Sequence, residues 1–370
     1  MLTSGILGTV CAAALFARSS SALAVKRDAT TTRSGPLSFT FSSYIGDATP
    51  TNIHYVTMDG GGGGVLNGNN VAIFSDTTTS NSDGKMVGGG FVSNSAYYIP
   101  DTSSPLALEG FETDGVPELA VPWFEDECVA GASCEWWCWP DSAFATQNNL
   151  ASDTVGYGMY DTGRREGSDD VWEYKTLAKL TANDTALTVT RPVQQYITSS
   201  FLYRWGWSIG SDGDGYVHIF AKGGTNANGT INMYAAKVPF NDIEDTSKFL
   251  YFNGNDYTLN SEADAVPVAA GYLDSGDVFY SAHYSTWLIV SMGSGDAIDY
   301  IYVQYSTTGM ARGPYSEPQN VIKTSVATNS YNSHLHSYPQ FFDTTSQEIL
   351  TSWSYSNGTI IQMAKLTFDP

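Results

Sequence analysis

The sequence is poor in basic residues and in charge of either sign. Only 17 of its 370 residues are Lys or Arg, against 38 Asp and Glu, and the formal net charge is −21. A surface this acidic repels phosphate backbones, so the composition excludes nucleic acid as an expected partner; it does not repel neutral sugars. Aromatic residues reach 13%, which excludes a disordered chain because Tyr, Trp and Phe supply ample core.

The sequence also lacks an apolar run of the roughly 20 residues that cross a bilayer. The stretch over residues 6–16 (ILGTVCAAALF) is shorter, and the small residues after it end in Ala22-Leu23-Ala24. This pattern is typical of a secretory signal peptide with its cleavage site. Lys26-Arg27 is then either a site for a processing protease or a basic linker. We predict a secreted, extracellular protein without membrane association, with a signal peptide and processed leader over residues 1–27 and a flexible leader over residues 28–35.

Cysteine is scarce, and Cys11 lies in the signal segment. The other three, Cys128, Cys134 and Cys138, are crowded into one loop. Because three is odd, at most one intrachain disulfide forms and one thiol is left over. No His lies nearby, so a disulfide that staples the loop is favoured over a zinc site. Secretion also fits three glycosylation sequons in turn-like contexts, at Asn183, Asn228 and Asn357.

Helical periodicity is nearly absent. Short runs rich in β-branched and aromatic residues alternate with Gly, Asn, Asp and Ser turns, which predicts an all-β fold. The runs form about five groups that start near residues 52, 119, 201, 266 and 338. This rhythm favours a single five-bladed β-propeller over residues 36–370, as a monomer, and a β-sandwich is the alternative. The strand at residues 36–41 is expected to pair with the last sheet and close the ring, which protects the sheet edges.

Two carboxylates mark the ends of the first two predicted strands. Asp59 precedes the glycine run 60–64, which is interpreted as a bend, and Asp76 lies at the end of the return strand. Propellers place the ends of their inner strands around an axial pocket. Two carboxylates that face one pocket are the equipment for glycoside hydrolysis. The alternative is that both residues cap turns, as Asp often does.

These carboxylates lie in segments that resemble a known family. Residues 58–77 (MDGGGGGVLNGNNVAIFSDT) and 86–94 (MVGGGFVSN) resemble the opening of a carbohydrate-active family of five-bladed propellers that includes secreted bacterial endo-D-arabinanases. Other segments resemble that family in the same order: residues 232–243 (NMYAAKVPFNDI), 299–306 (DYIYVQYS), 313–318 (GPYSEP) and 333–339 (SHLHSYP).

The resemblance implies that Asp59 and Asp76 are the catalytic pair of a glycoside hydrolase acting on a polysaccharide, with arabinofuranosides as the expected sugar. Met58 departs from the family, which has a basic residue before the first Asp, and this change is expected to alter the pKa of Asp59. The third predicted inner strand, residues 201–209, also lacks the acid Glu of arabinanase-type propellers. We predict no cofactor and no metal.

Aromatic and histidine side chains are the candidate sugar contacts. Sugar rings present apolar C–H faces that stack on flat side chains, so the Trp-rich loop 135–141 is either a set of subsites or a small core beneath the loop. Trp205 and Trp207 are predicted to share a strand face by period two, with Arg204 on the other side. The same alternation predicts a common face for the two histidines and the tyrosine of residues 333–339, as sugar contacts, metal ligands or structural residues. The predicted substrate-binding residues are Trp139, Asp141, Arg204, Trp205, His334, His336 and Tyr338.

Two other functions share these features. A sugar-binding propeller without catalysis predicts that Asp59 and Asp76 do not converge. A polysaccharide lyase predicts instead that His334, His336 and Arg204 converge. Residues 211–215 (SDGDG) resemble the start of a calcium loop, but Gly223 stands at the twelfth loop position where Glu is required, so a hairpin turn is predicted there.

Overall fold

The computed structural model describes residues 36–128, 134–183, 186–259, 261–293, 300–324, 332–342, 346–355 and 360–369. The signal peptide, both leader segments and Asn357 therefore lie outside the described residues. Within them the regular structure is almost wholly β, and its large sheets are the five blades of a propeller. The prediction of a five-bladed propeller is confirmed, and the sandwich alternative is wrong.

Blades 1 and 2 follow one another along the chain. Blade 1 has the spatial order β2-β6-β5-β4-β3, and blade 2 has the order β10-β11-β12-β13 with β9 also paired to β11. Their strands are β2 (Thr49–Pro50), β3 (Val56–Leu66), β4 (Asn69–Ser80), β5 (Met86–Ile99), β6 (Ala107–Gly110), the small hairpin β7 (Glu112–Thr113) and β8 (Val116–Pro117), β9 (Trp136–Pro140), β10 (Ala145–Thr146), β11 (Val155–Glu166), β12 (Asp169–Ala182) and β13 (Leu187–Ile197).

Blades 3, 4 and 5 complete the ring. Their strands are β14 (Arg204–Gly210), β15 (Tyr216–Thr225), β16 (Ile231–Pro239), β17 (Leu250–Phe252), β18 (Tyr257–Thr258) and β19 (Ala269–Gly271) in blade 3; β20 (Ser275–Ser281), β21 (Thr286–Met292), β22 (Tyr300–Tyr305) and β23 (Gln319–Lys323) in blade 4; and β24 (Ser333–Tyr338), β25 (Glu348–Tyr355), β26 (Ile360–Asp369) and β1 (Ser38–Asp47) in blade 5. Short 3₁₀ turns lie at Phe240–Asp242, Thr246–Lys248 and Glu262–Asp264.

The N-terminal strand closes the ring. Strand β1 pairs antiparallel with β26, with Tyr44 opposite Ala364. The expected closure is therefore confirmed, and blade 5 combines the two ends of the described chain. Since β1 covers the outer edge of β26, that edge is not left open to pair with another chain.

Two predicted blade starts are wrong. The predicted strand at residues 119–124 is irregular, and the inner strands of blade 2 are β9 and β10. The predicted start at residue 266 belongs to blade 3, because β19 pairs with β16 and blade 4 begins at Ser275. The first error comes from an apolar run that fills the core without joining a ladder, since Val121 is buried. The second comes from an apolar run whose strand joins the ladder of the preceding blade.

The glycine run is a strand and not the predicted bend. Residues 60–64 lie inside β3, and the chain reverses at Asn67-Gly68, where both residues have positive φ. The run is needed because β3 is the inner strand and other backbone lies against it. A Cβ at Gly61 would meet the carbonyl oxygen of Ile73 at 1.8 Å, and one at Gly62 would meet the carbonyl oxygen of Ser142 at 2.3 Å.

Apolar clusters fill the interfaces between neighbouring blades. Met159 packs with Trp205 between blades 2 and 3, for example, and Leu335 packs with Leu288 between blades 4 and 5. Burial of apolar surface between blades stabilises the ring and holds the inner strands at fixed positions. The polar groups at the starts of those strands are thereby brought together near the axis.

Candidate active site

The β3–β4 hairpin places Asp59 and Asp76 at the same end of blade 1. Asp59 pairs with Ser75, so Asp76 is the next residue along the partner strand. Asp76 has a φ of 37°, which breaks the regular alternation of side chains along β4. Each carboxylate is partly buried, and the negative charge of Asp59 acts on Asp76.

Asp59 is held by donors from two neighbouring blades. Its Oδ1 accepts hydrogen bonds from the Gly60 amide at 2.6 Å and from the Ser354 hydroxyl, and it lies 3.1 Å from His334 Nδ1. All these contacts involve Oδ1, and no donor in the described part of the chain contacts Oδ2. The carboxylate is therefore held in place through Oδ1, and Oδ2 carries no hydrogen bond from the described residues.

These contacts determine the charge of Asp59. Burial alone would raise its pKa, but the hydrogen bond and charge of His334, with the bonds from Ser354 and Gly60, outweigh burial and lower the pKa to about 2. His334 is half exposed, and its partial removal from water would lower its pKa, but the hydrogen bond and charge of Asp59 outweigh this effect and raise it. His334 supplies the cation that Met58 does not, since Met58 is buried in the core between blades 5 and 1.

Asp76 has the opposite electrostatic environment. Its Oδ1 accepts one hydrogen bond, from Trp139 Nε1 at 2.8 Å. Burial raises the pKa of Asp76 to about 6, and the charge of Asp59 adds to this effect, while the Trp139 bond only partly opposes it. At pH 5 the pair therefore combines an ionised Asp59 with a protonated Asp76, which is the arrangement of a base or nucleophile beside a general acid.

Trp139 reaches Asp76 because β9 pairs with β11. Its ring stacks on that of Trp137, with centroids 3.9 Å apart and planes inclined by 15°. Trp137 is buried and Trp139 is partly exposed. The Trp-rich loop thus combines both interpretations made from the sequence: Trp137 belongs to the protein interior, and Trp139 lies at the candidate site.

A chain of alternating charges extends the site into blades 2 and 3. The buried ammonium of Lys175 contacts the carboxylates of Asp141 and Asp161, the latter at 2.9 Å. Asp161 also accepts from Trp172 Nε1 at 2.7 Å and lies 3.5 Å from Arg204, whose guanidinium stacks on Trp172. The two carboxylates raise the pKa of Lys175 despite its burial.

A cavity of about 410 Å³ opens beside these charges. Its lining includes Asp141 and Arg204, two of the predicted sugar contacts, together with Trp207 and Lys222. Neither Asp59 nor Asp76 lines this cavity, but the charge of Asp141, which does, helps to raise the pKa of His334 beside Asp59. Its charged hydrogen-bonding groups and aromatic lining are suited to a sugar.

Three predicted sugar contacts, Trp205, His336 and Tyr338, are buried in the protein. The ladder slips between Trp205 and Ser208, and Gly206 has a φ of 88°, so the assumed period of two fails there. Trp205 is fully buried between blades 2 and 3, where its Nε1 donates to Glu262 at 2.8 Å, while Trp207 packs between blades 3 and 4. The two tryptophans therefore do not share a face, and Trp207 lines the cavity whereas Trp205 does not.

The histidine strand has a similar irregularity. His334 has a φ of 52°, and the ladder slips between Ser333 and His336. His334 is consequently exposed beside Asp59, whereas His336 is buried against Asp277 at 3.3 Å. Tyr338 is also buried, and its hydroxyl bonds Ser352 at 3.1 Å. Of the three predicted contacts on this strand, the structure therefore brings only His334 to Asp59, and His336 and Tyr338 are held in buried polar contacts.

Asp277 is a central polar residue that sequence reasoning missed. It is fully buried on the inner strand of blade 4, and it accepts hydrogen bonds from the backbone amides of Ala143 at 3.0 Å and Ser337 at 2.7 Å. It therefore joins the inner strands of blades 2, 4 and 5. Lys175, Asp161 and Ser354 were missed as well. Strand β12 carries two lysines, Lys175 and Lys179, and its sequence does not tell which of them is buried and needs carboxylate partners.

The three predicted loop cysteines and two of the predicted glycosylation sites lie in the described residues. Cys128 and Cys134 form a disulfide, and Cys138 is a buried free thiol whose pKa burial raises to about 11. Asn228 lies in an exposed turn, and the side chain of Asn183 accepts from the Ala186 amide at 2.8 Å. No helix in the described residues is long and apolar enough to cross a membrane.

Comparison with known proteins identifies the fold. The sequence matches no protein-family model and shows no significant match to curated proteins. Among solved structures, the chain is similar to Zg3597, a family 117 glycoside hydrolase produced by the marine bacterium Zobellia galactanivorans, with 12% identity over 90% of each chain and a TM-score of 0.52. It is also similar to a GH43_1 enzyme from Xanthomonas citri, with 12% identity over 87% of this chain and 90% of that chain and a TM-score of 0.51. At these identities the similarity establishes the shared fold.

Proposed function

We propose that this protein is a secreted glycoside hydrolase that uses Asp59 and Asp76 as its catalytic pair. The observation that carries the proposal is the opposite environment of the two carboxylates. Asp59 lies 3.1 Å from His334 Nδ1, and its contacts outweigh burial and lower its pKa to about 2, whereas burial raises the pKa of Asp76 to about 6. Two neighbouring carboxyl groups with separated pKa values are the equipment for acid-assisted cleavage of a glycosidic bond. The glycoside hydrolases that share the fold support this assignment.

The environments also assign the roles. Asp76 donates a proton to the leaving-group oxygen as the glycosidic bond breaks, and Asp59 acts on the opposite side of the anomeric carbon through its Oδ2. In a retaining reaction Asp59 attacks that carbon directly, and water then hydrolyses the glycosyl-enzyme with Asp76 as base; in an inverting reaction Asp59 activates the water. Trp139 positions Asp76, and the cavity beside Arg204 receives the neighbouring sugar.

The substrate proposal is narrower. The segments around Asp59 and Asp76 resemble a family that includes endo-D-arabinanases, so we propose an arabinofuranoside-containing polysaccharide as the substrate. The alternative of a lyase has less support, because His336 is turned to Asp277 and Arg204 to Asp161, and neither lies with His334 at Asp59. A sugar-binding protein without catalysis also has less support, because the β3–β4 hairpin brings Asp59 and Asp76 to the same end of blade 1.

The test is an assay on a panel of arabinans, galactans and other cell-wall polysaccharides. The secreted protein, Asp59→Asn and Asp76→Asn are compared by reducing ends released and by absorbance of unsaturated uronates. We expect reducing ends without unsaturation, lost in both variants and kept in the control Asp114→Asn, which changes an exposed turn residue whose positive φ suits Asn. Unsaturated products would identify a lyase, and polysaccharide binding without any product would identify a sugar-binding protein.

A further inference from the structure

The turn between β14 and β15 carries a second cluster of charged groups. Asp212 and Asp214 lie in this turn, and His218 follows on β15; one ligand atom from each lies within 4.8 Å of the others. The turn follows the end of β14, whereas Arg204 at the start of β14 borders the cavity of the candidate active site. The cluster is therefore on the opposite end of the hairpin from the proposed catalysis.

His218 is the observation that distinguishes this cluster from an ordinary acidic turn. Its side chain is only 6% exposed, and neither ring nitrogen makes a hydrogen bond in the described part of the chain. Its Nε2 points at Asp214 Oδ2 from 3.5 Å, beyond the usual length of a hydrogen bond. A buried imidazole without hydrogen bonds is costly, so a group that binds both the nitrogen and the carboxylates is expected.

The spacing is suitable for one shared cation. Two ligands of a tetrahedral metal with bonds of about 2.0–2.1 Å lie about 3.4 Å apart, close to the separation of His218 Nε2 and Asp214 Oδ2. Hydrogen bonds already shape the turn: Asp212 Oδ1 accepts from the Asp214 amide, Asp212 Oδ2 accepts from Trp287 Nε1 at 3.3 Å, and Asp214 Oδ1 accepts from the Tyr216 amide. Asp214 Oδ2 is consequently the oxygen directed at His218.

The surroundings support a metal over a simple ion pair. The buried hydroxyl of Tyr257 also makes no hydrogen bond among the described residues, and its ring packs edge-on against His218. Lys237, the cross-strand neighbour of His218, directs its ammonium onto the rings of Tyr216 and Tyr257 at 3.9 and 4.9 Å. The ammonium of Lys237 therefore contacts aromatic rings, and it forms no ion pair with Asp212 or Asp214.

We propose that Asp212, Asp214 and His218 bind a divalent cation of the zinc class and thereby fasten the β14–β15 turn to blade 3. An imidazole with two carboxylates suits Zn²⁺, Mn²⁺, Co²⁺ or Ni²⁺, whereas Ca²⁺ takes six to eight oxygen ligands. This differs from the calcium loop considered from the sequence, because the decisive ligand is a histidine outside the loop motif. The role is structural, so hydrolysis of glycosides is not required to test it.

The test uses the full, untagged secreted protein after treatment with a chelator. Zinc alone is titrated by calorimetry, the bound metal is counted after dialysis, and melting is followed with zinc or calcium. We expect one zinc per chain and a melting temperature at least about 2 °C higher with zinc than with calcium, because a ligand that binds only the folded state stabilises it. With Co²⁺ we expect the visible absorption of a site with a nitrogen ligand.

Asp214→Asn is the main variant, because Asp214 is exposed and the protein is expected to fold without its charge. It should weaken zinc binding at least tenfold and abolish the zinc-dependent change in melting, whereas Asp114→Asn should leave both unchanged. His218→Gln should remove the cobalt absorption if it folds. Equal zinc binding by the wild type and Asp214→Asn, or stabilisation by calcium in place of zinc, would overturn the proposal.

Discussion

His334 Nδ1 lies 3.1 Å from Asp59 Oδ1, across the boundary where blade 5 meets blade 1. The two ends of the described chain build blade 5, so this contact depends on closure of the ring. The positive φ of His334 and the missing side chain at Gly60 make it possible, since a Cβ at Gly60 would lie 2.0 Å from His334 Cβ. Ring closure thus produces the cation that keeps Asp59 ionised.

The pH dependence of the hydrolysis should reflect both carboxyl groups. Activity requires Asp59 ionised and Asp76 protonated, and their pKa values are about 2 and about 6. We expect kcat/KM to rise with pH through about 2 and to fall above about 6, with the maximum between. Rates measured from pH 2 to 8 on one polysaccharide check this, and a rate that keeps rising from pH 5 to 8 would contradict the role of Asp76 as an acid.

Replacing Trp139 should move the alkaline side of this profile. The Trp139 hydrogen bond stabilises the ionised form of Asp76 and lowers its pKa. Trp139→Phe removes the N–H and keeps an aromatic ring, so the alkaline limit should shift to higher pH while the acidic limit stays. Trp136→Phe, in the same strand, is the matched control. A shift to lower pH would show that Trp139 does not control Asp76.

Replacing His334 should change the acidic side of the pH profile of kcat/KM. Without this partner, burial dominates and the pKa of Asp59 rises, so the acidic limit of kcat/KM should move upward. We expect His334→Gln to lose rate most strongly below pH 5 and to recover part of it near pH 6. A uniform loss at every pH would indicate that His334 only positions the substrate.

Ionised Asp76 should lower the free energy of unfolding at neutral pH. Its pKa is raised on folding from 3.8 to about 6, so folding carries no penalty below pH 3.8 and the full penalty above about 6. Asp76→Asn should therefore stabilise the protein by about 1–3 kcal/mol at pH 7.5, after allowance for partial exposure, and leave stability unchanged at pH 3.5. Urea unfolding at both pH values measures this, and an equal effect at both would point to packing instead of charge.

A methyl group in the glycine run should break the inner strand. Gly61→Ala places its Cβ 1.8 Å from the Ile73 carbonyl oxygen, so the β3–β4 hairpin must open. We expect a loss of about 3 kcal/mol or more in the free energy of unfolding. Gly224→Ala is the control, since nothing lies within 4 Å of its Cβ. Equal midpoints of urea unfolding for the two variants would contradict the packing described for β3.

The propeller, its closure and the Asp59–Asp76 hairpin could be predicted from the sequence, because strand alternation and turns depend on residues that are close together in the chain. The bulges could not be predicted. Gly206 and His334 each interrupt the period of two, and this separated Trp205 from Trp207 and His334 from His336. Asp277 escaped for a different reason, since its partners Ala143 and Ser337 come from other blades, which local patterns do not reveal. Lys175 lies directly opposite Asp161 in the β11–β12 hairpin, and this pair becomes visible only once the register of the hairpin is known.

The assignment of roles is tested most directly by a substrate that needs no proton for its leaving group. An aryl glycoside with a strongly acidic phenol, made from the sugar that the wild type releases, is offered to Asp59→Asn and Asp76→Asn, with initial rates measured by released phenol. We predict that Asp76→Asn still releases phenol from this compound while losing activity on polysaccharide, in steady turnover if the reaction inverts and as a burst of one equivalent per enzyme if it retains, because the second step then lacks its base. We predict that Asp59→Asn loses both activities. The reverse pattern, or full activity of Asp59→Asn on either substrate, would contradict the account.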